Sequence, residues 1–406
     1  MSIVFDLIQQ EEERQANTIQ LIASENFVSE DIKRAMGSCL TNKYSEGYPG
    51  ARYYGGCEII DKIESYCQQK WQEVFKTDYH VNVQPHSGSQ ANFAAYMAVL
   101  RPRDRILAMD LKNGGHLTHG SHVNFSGKLY NTYFYNLDKD GFIDYNDLAK
   151  KIEDLKPQLI VAGASAYSRF IDYKRIREII DRQSYYEEYQ HPHNGDWDVY
   201  EYKPYFMVDM AHVAGLIAGG VHPSPFGYAD IITTTTHKTL RGPRGGLIFC
   251  RPELAKQIDS AVFPGSQGGP LQHIIAAKAI CAEEALKPDF TTYAQKVVCC
   301  ANAMAHHFKE LGYDIVTNGT DNHMFLLDLS KTNLSGAQVE AALEAEGIIV
   351  NKNCVPNEKR PPRQTSGIRI GTAAMVTRGW DVPQFIKCAD KIDKIIQKEK
   401  IKNSGK

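Results

Sequence analysis

The chain has 406 residues, 43% hydrophobic and 23% charged, with a formal net charge of −2. That composition supports a large core divided between one large and one smaller domain, and it lacks the basic excess that nucleic acid or an anionic membrane calls for. Nine cysteines without a Cys-x-x-Cys pair suggest free thiols in a reducing compartment, and no apolar run approaches membrane-spanning length.

Met1 to Gln15 is acidic and lacks the basic start and apolar core of a signal peptide, so a cytoplasmic location is the default expectation. Residues 1–20 predict a short helical arm. From Glu58 to Phe75, Ile59, Ile60, Ile63, Tyr66, Cys67 and Val74 recur at helical spacing. Pro85 to Asn92 then places hydroxyls and free amides, with Ser87, Gly88 and Ser89 among them, before the apolar run Phe93–Leu100. A helix start of this composition binds anions through its free N–H groups and dipole. Strand candidates follow at Arg105–Met109, Gln158–Ala162, Phe206–Asp209, Asp230–Thr235 and Gly246–Cys250, separated mostly by amphipathic stretches such as Asp144–Leu155 and Asp172–Asp181. The alternation predicts an α/β domain with a mainly parallel sheet and ligand sites at the strand ends.

Ser184 to Tyr205 interrupts this pattern with Tyr185, Tyr186, Tyr189, Trp197, Tyr200, Tyr202 and Tyr205 around His191-Pro192-His193. The expectation is an ordered surface excursion whose aromatics pack on the body or on a neighbouring subunit, with a mobile loop as the alternative. From Leu271 to Leu311 the chain is helical in character with a break at Pro288. A smaller α+β unit should follow, with strands near 313–316, 324–329 and 348–351, a helix over 336–346, a strand at Arg369 and a last helix from Val382. The Lys-rich end, 391–406, reads as a solvated helix face and tail. The domain division expected is an arm over 1–20, a large domain over 21–285 carrying the insert 184–205, and a small domain over 286–406.

Chemistry concentrates around Thr233-Thr234-Thr235-Thr236-His237-Lys238 and the glycine-rich turn to Gly246. Four β-branched residues favour a strand, which leaves Lys238 just beyond its end, placed to form a Schiff base with an aldehyde. Upstream, the strand 206–209 ends in Asp209, followed by His212. Pyridoxal 5'-phosphate needs a lysine on its aldehyde and an acid on its ring nitrogen. Lys238 and Asp209 supply that pair, and Ser87, Gly88 and Ser89 supply a seat for the phosphate. Histidines 116, 119 and 122 are spaced as metal ligands are, but no cysteine or acid lies near them in sequence, and a zinc ion would compete with the Schiff base. No metal is expected.

Leu21–Asn26, Thr41–Gly50, Gly114–Gly120, Thr233–Gly246 and Thr365–Thr372 form long strings in one order along nearly the whole chain. Together they resemble the serine hydroxymethyltransferases, pyridoxal-phosphate enzymes of the aspartate-aminotransferase fold (fold type I). The resemblance implies a large cofactor-binding domain with a seven-stranded-type, mainly parallel sheet and a smaller α+β C-terminal domain. It implies reversible transfer of the serine hydroxymethyl carbon to tetrahydrofolate, giving glycine and 5,10-methylenetetrahydrofolate, with serine joined to the cofactor as a Schiff base in place of Lys238. It also implies an obligate homodimer with shared active sites, partly held by the N-terminal arm, acting on small molecules rather than on nucleic acid or a membrane.

Residue by residue, the resemblance makes His116 the group that stacks on the cofactor ring and Ser165 a cofactor contact. His212 donates toward a cofactor oxygen, and His237 toward the phosphate or substrate. Ser24 and Arg369 take the carboxylate of the amino acid. Glu46, with Tyr44 and Tyr54, crosses from the partner subunit, Glu46 serving as acid or base; Gly268 and Gly269 complete the partner's share of the phosphate seat. Leu111, Gly115, Leu117 and Asn353 match pterin-binding positions, in a neighbourhood that includes Arg363. The family usually has a short turn where the 184–205 insert stands. Arg363, Asn113, Arg169 and Ala373 also depart from the family pattern, and they bear on folate affinity and domain rigidity. A folate-independent aldolase for threonine or related β-hydroxy amino acids, and a non-catalytic scaffold using the insert, are the competing readings.

Overall fold

The computed structural model describes residues 2–190 and 197–404. Strands β1 (His80–Asn82), β2 (Arg105–Met109), β3 (Asn131–Tyr135), β4 (Leu159–Ala162), β5 (Tyr205–Asp209), β6 (Ile231–Thr235) and β7 (Gly246–Cys250) form one seven-stranded sheet in the order β1-β7-β6-β5-β4-β2-β3. From β6 to β3 every pairing is parallel, whereas β7 runs antiparallel to both β6 and β1. The inner strands are apolar without a break because both faces are buried. Phe206 and Val208 point into one core with Leu107, Met109, Ile160 and Phe249, while Met207 points into the other with Ile106, Val161 and Ile248. Period two thus feeds two cores from the same strands.

Helices cover both faces. The family-like arm is α1 (Ile3–Asn17), which buries none of its residues and leaves Ile3, Val4, Phe5, Leu7 and Ile8 exposed. Helix α2 (Glu58–Phe75) spans the range its spacing predicts and buries Ile60, Cys67, Trp71 and Val74. Helix α3 (Gly88–Val99) starts at the anion-binding composition read from sequence, with Ser87 as its N-cap. The long helical stretch is two helices, α4 (Gln272–Ala285) and α5 (Pro288–Glu310), divided where Pro288 takes the first helical position, the one place a helix tolerates a missing N–H.

A second sheet, all antiparallel, carries the C-terminal part: β8 (Asp314–Ile315), β9 (Met324–Asp328), β10 (Asn351–Asn353) and β11 (Gly367–Gly371), in the order β8-β9-β11-β10. Helix α6 (Val382–Ser404) closes the chain, and α5 packs along it. The two parts are laced together from the N-terminus: Leu21 N donates to Ile349 O and Gly371 N to Leu21 O. No helix among the described residues is long and apolar enough to cross a membrane.

The interrupting segment is an antiparallel hairpin, Tyr185–Gln190 against Trp197–Tyr202, as the ordered-excursion expectation has it. It docks on the body of its own chain. Tyr185 is buried and its hydroxyl donates to Ile152 O at 2.8 Å; Tyr202 donates to Lys156 O at 2.8 Å, and Arg105 pairs with Glu187 at 3.2 Å. Alternation turns Tyr186 and Val199 outward. His191, Pro192 and His193 lie outside the described residues. Tyr185→Ala should lower stability by about 3 kcal/mol, the cost of deleting a buried aromatic. Urea unfolding is the check; an unchanged midpoint would mean the hairpin is not part of the folded body.

Candidate active site

The carboxyl ends of β2, β4, β5 and β6 open onto one cavity of about 450 Å³, the place where parallel sheets bind ligands. It is lined by Ser24, Ser87, Gly88, Ser89, His116, Ser165, Asp209, His212, His237, Lys238 and Arg369, all named from the sequence. Glu25, His119, Ala164, Ala211, Thr235 and Arg244 line it as well and were given no role there. Thr235 and Arg244 belong to the lysine-bearing block itself, and Glu25 follows Ser24 directly. The only signal for them was adjacency.

Lys238 follows β6 and is 9% exposed. Its backbone is fixed by Asn26, whose amide donates to Lys238 O at 2.9 Å, while Thr239 Oγ1 donates to His212 O at 3.0 Å. Among the described residues its amine has no salt-bridge partner within 4.0 Å. Burial pushes the ammonium down to about 8; Asp209 opposes this, and Arg369 and Arg244 reinforce it. A lysine so placed is a free amine about a tenth of the time at pH 7, against far less than about a hundredth for an ordinary lysine.

Asp209 ends β5, and its side chain is 11% exposed. Burial alone would push its carboxyl up. The hydrogen bond from His119 Nε2 (3.1 Å), the electrostatic influence of His119 and His116, and the Asn92 amide (2.9 Å) outweigh that and hold it well below the usual carboxylate range. Ala211 N donates to its other oxygen at 3.1 Å. Thr118 Oγ1 and Thr233 Oγ1 fix Asn92 in turn.

Three histidines that line the cavity, His116, His212 and His237, are held below their ordinary values and stay neutral near pH 7. Burial, helped by His119, brings His116 down to about 4; burial, helped by Arg244 and Lys238, brings His237 down to about 3. His212 lies well below its ordinary value, chiefly through burial, and its Nδ1 shares a hydrogen bond of 3.2 Å with Nε2 of His323, itself brought down to about 3 by burial. Arg369 is 8% exposed, and among the described residues its guanidinium has no carboxylate partner. It donates to Asn351 Oδ1 at 3.0 Å and Ser165 O at 2.7 Å, and burial pushes it down to about 10.

The metal reading needs one correction. An acid does sit beside the spaced histidines, because folding brings Asp209 to them: donor atoms of His116, His119 and Asp209 lie within 4.8 Å of one another, without His122. The Asp209 oxygens are already engaged by His119, Asn92 and Ala211 N, which leaves about one of the carboxylate's lone-pair sites open, enough for one further donor.

The remaining expected residues gather elsewhere in the single chain. Tyr44 and Tyr54 meet edge to face at 5.1 Å and are exposed. A Cβ at Gly268 would come 3.1 Å from Glu46 Oε1, and one at Gly269 would come 3.2 Å from the Tyr44 ring. Glu46, Tyr44, Tyr54, Gly268 and Gly269 therefore form a second cluster outside the cavity of their own chain. Leu111 and Leu117 are exposed on either side of buried Gly115, on the loop that carries His116. Asn353 lies on β10, and its neighbour Cys354 shares a small recess with Lys112, Asn113 and Gly114. Arg363 is exposed in a turn. Arg169 is accounted for: it pairs with Asp321 at 2.7 Å and donates to Thr317 O at 2.6 Å, tying its loop to the second sheet's approach.

The donor set fits pyridoxal phosphate. Thr235 Oγ1 and His237 Nδ1 are buried without a partner and line the cavity beside Ser87 and Ser89 at the start of α3, which suits a phosphate. A Cβ at Gly88 would lie 2.6 Å from Thr235 Cγ2, so only glycine lets the helix start approach that closely. An ionised Asp209 suits a protonated ring nitrogen, and Lys238 suits an aldehyde.

One family description, serine hydroxymethyltransferase, matches residues 2–191 and 198–392. In the cofactor-free protein, reductive alkylation of Lys238 by an aldehyde should rise with pH and level off above about 8, whereas ordinary lysines keep gaining reactivity to about 10.4. Peptide mapping of the modified lysine at each pH is the measurement; a midpoint near that of surface lysines would contradict the buried free amine.

Proposed function

Because the chain belongs to the serine hydroxymethyltransferase family, pyridoxal-phosphate-dependent enzymes with tetrahydrofolate as co-substrate, we propose the full reaction for it: serine's hydroxymethyl carbon passes reversibly to tetrahydrofolate, giving glycine and 5,10-methylenetetrahydrofolate. The observation that carries this reading is one cavity lined by a lowered-pKa lysine, a buried ionised carboxylate and a buried guanidinium without an acid. When bound, the cofactor supplies an electron sink for the bonds at the amino-acid α-carbon.

The chain's own residues then have distinct tasks. Lys238 would hold the cofactor through its amine, the position that the amine of serine would contest. Asp209 keeps a proton on the ring nitrogen, its own oxygens fixed by His119 and Asn92. Ser87, Gly88, Ser89 and His237 hold the phosphate, and His116 covers the ring. Arg369 and Ser24 clamp the serine carboxylate, the guanidinium gaining the acid it lacks. Glu46 takes or returns the proton of the serine hydroxyl, and Tyr54 and Tyr44 accompany it, from a second copy of the chain. Their clustering away from their own cavity supports such a crossing. We place the pterin against Leu111, Gly115, Leu117 and Asn353, and the enzyme in the cytoplasm as a homodimer, where its nine free cysteines suit a reducing compartment. The small domain is assigned to 286–406, beginning in the gap between α4 and α5.

Arg369→Ala should raise the serine KM by about 100-fold or more, as removal of one partner from a buried charge pair does. Steady-state kinetics with serine and tetrahydrofolate test this; an unchanged KM would remove Arg369 from the carboxylate site. Crossing is tested by mixing two inactive variants, Lys238→Ala and Glu46→Gln. Hybrids carry one site with both residues intact, so equal mixing after reversible dissociation should restore about a quarter of the activity, by the arithmetic of a twofold assembly. No recovery would place Glu46 on its own chain's site, and an active Glu46→Gln variant would place it outside catalysis.

A further inference from the structure

Lys278 lies in α4 and is 1% exposed, and nothing proposed above uses it. Among the described residues no carboxylate pairs with its ammonium. It donates instead to three main-chain carbonyls, Val83 O at 2.7 Å, Pro85 O at 3.0 Å and Gly246 O at 2.8 Å, one acceptor for each proton. A buried cation satisfied by neutral carbonyls is costly, and a methionine would fill the same space without that cost. What the cation touches is the reason to look further.

Val83 and Pro85 frame the segment that leads into Ser87, the cap of α3. Gly246 closes the turn that starts at Lys238. Gly246 N also donates to Pro85 O at 3.0 Å, so both loops meet where the ammonium sits. The lysine stem passes so close to the turn that a Cβ at Gly245 would lie 2.4 Å from Lys278 Cε. Its charge reaches the cavity side as well, since it contributes to lowering both His86 and His237, after burial in each case.

We propose that Lys278 is a positioning residue for the phosphate seat: it locks the segment before Ser87 to the turn after Lys238 and sets a positive charge behind the seat. The inference rests on the reading of Ser87 to Ser89 as that seat. Carbonyls bound to the ammonium cannot turn toward the anion, and a fixed cation nearby offsets part of the phosphate charge.

A structural role alone would weaken every ligand of the cavity alike, so the test compares two. Equilibrium binding of pyridoxal 5'-phosphate and of pyridoxal, which lacks the phosphate, is measured for the full chain and for Lys278→Met. Lys278→Gln, which keeps hydrogen-bond donors and loses the charge, serves if the methionine variant does not fold. The expected result is a loss of about tenfold or more for the phosphorylated ligand and less than about twofold for pyridoxal. The phosphorus-31 resonance of the bound cofactor should shift as well. Equal losses for both ligands, or none, would overturn the inference. The variant Ser87→Ala with Ser89→Ala separates the failures: if it loses phosphate selectivity while the Lys278 variants do not, only the Lys278 inference falls. If it too keeps selectivity, the reading of the seat falls with it.

Discussion

An ionised carboxylate kept at the end of a buried strand is the constraint on which the site depends. Burial works against the charge of Asp209, so the charge survives only because hydrogen-bond donors converge on it from elsewhere in the chain. His119 comes from the loop after β2, Asn92 from α3, and Ala211 N from the chain just beyond β5. Thr233, on the neighbouring strand β6, orients Asn92. The parallel order of the sheet brings these donors to one edge. Any slip of β6 against β5 would move Thr233 and Lys238 together, which links the position of the amine to the ionisation of the acid.

The segment that carries Glu46 is built around another buried charge. Glu64, fully buried on α2, receives Arg52 at 2.7 Å and the amides of Gln84 and Gln272. Arg52 and Gln84 both donate to Gly47 O, and Gln272 to Ser45 Oγ. Residues on both sides of Glu46 are thus fixed, and Glu46 itself is half-buried beside Gly268. Gln84 also lies one residue before Pro85, which Lys278 holds. A residue outside its own chain's cavity is therefore anchored to the same framework as the start of α3 that lines that cavity.

Much of this was legible because chemistry and local structure coincide in the sequence. The threonine run is a strand for the same reason that it presents Lys238 at its end, and Ser87-Gly88-Ser89 starts a helix with the groups that suit an anion. The strands that escaped notice lacked such signals: β1 has only three residues, and β3, at the sheet edge, alternates exposed and half-buried positions without a continuous apolar run. His119 and Asn92 were seen only as a spaced histidine and as part of a helix start. Their role is fixed by Asp209, about a hundred residues away, and no local pattern encodes such a contact. The hairpin was visible as an excess of tyrosine, but its docking depended on partners at Ile152, Lys156 and Arg105 that sequence spacing does not reveal.

Neutral histidines complete the logic of the cavity. With His116, His212 and His237 uncharged, its fixed cations are Arg369 and Arg244, with Lys238 sharing its proton with solvent near pH 8. A substrate carboxylate and a phosphate would bring the negative charge these groups lack, and a protonated ring nitrogen would bring the cation Asp209 lacks. Protonated histidines would add positive charge where none of the ligands compensates it, so burial that keeps them neutral also keeps the charge count of the loaded site near balance. The same burial frees the Lys238 amine to react. One physical cause, exclusion of water from the strand ends, therefore sets the protonation state of donors and nucleophile together.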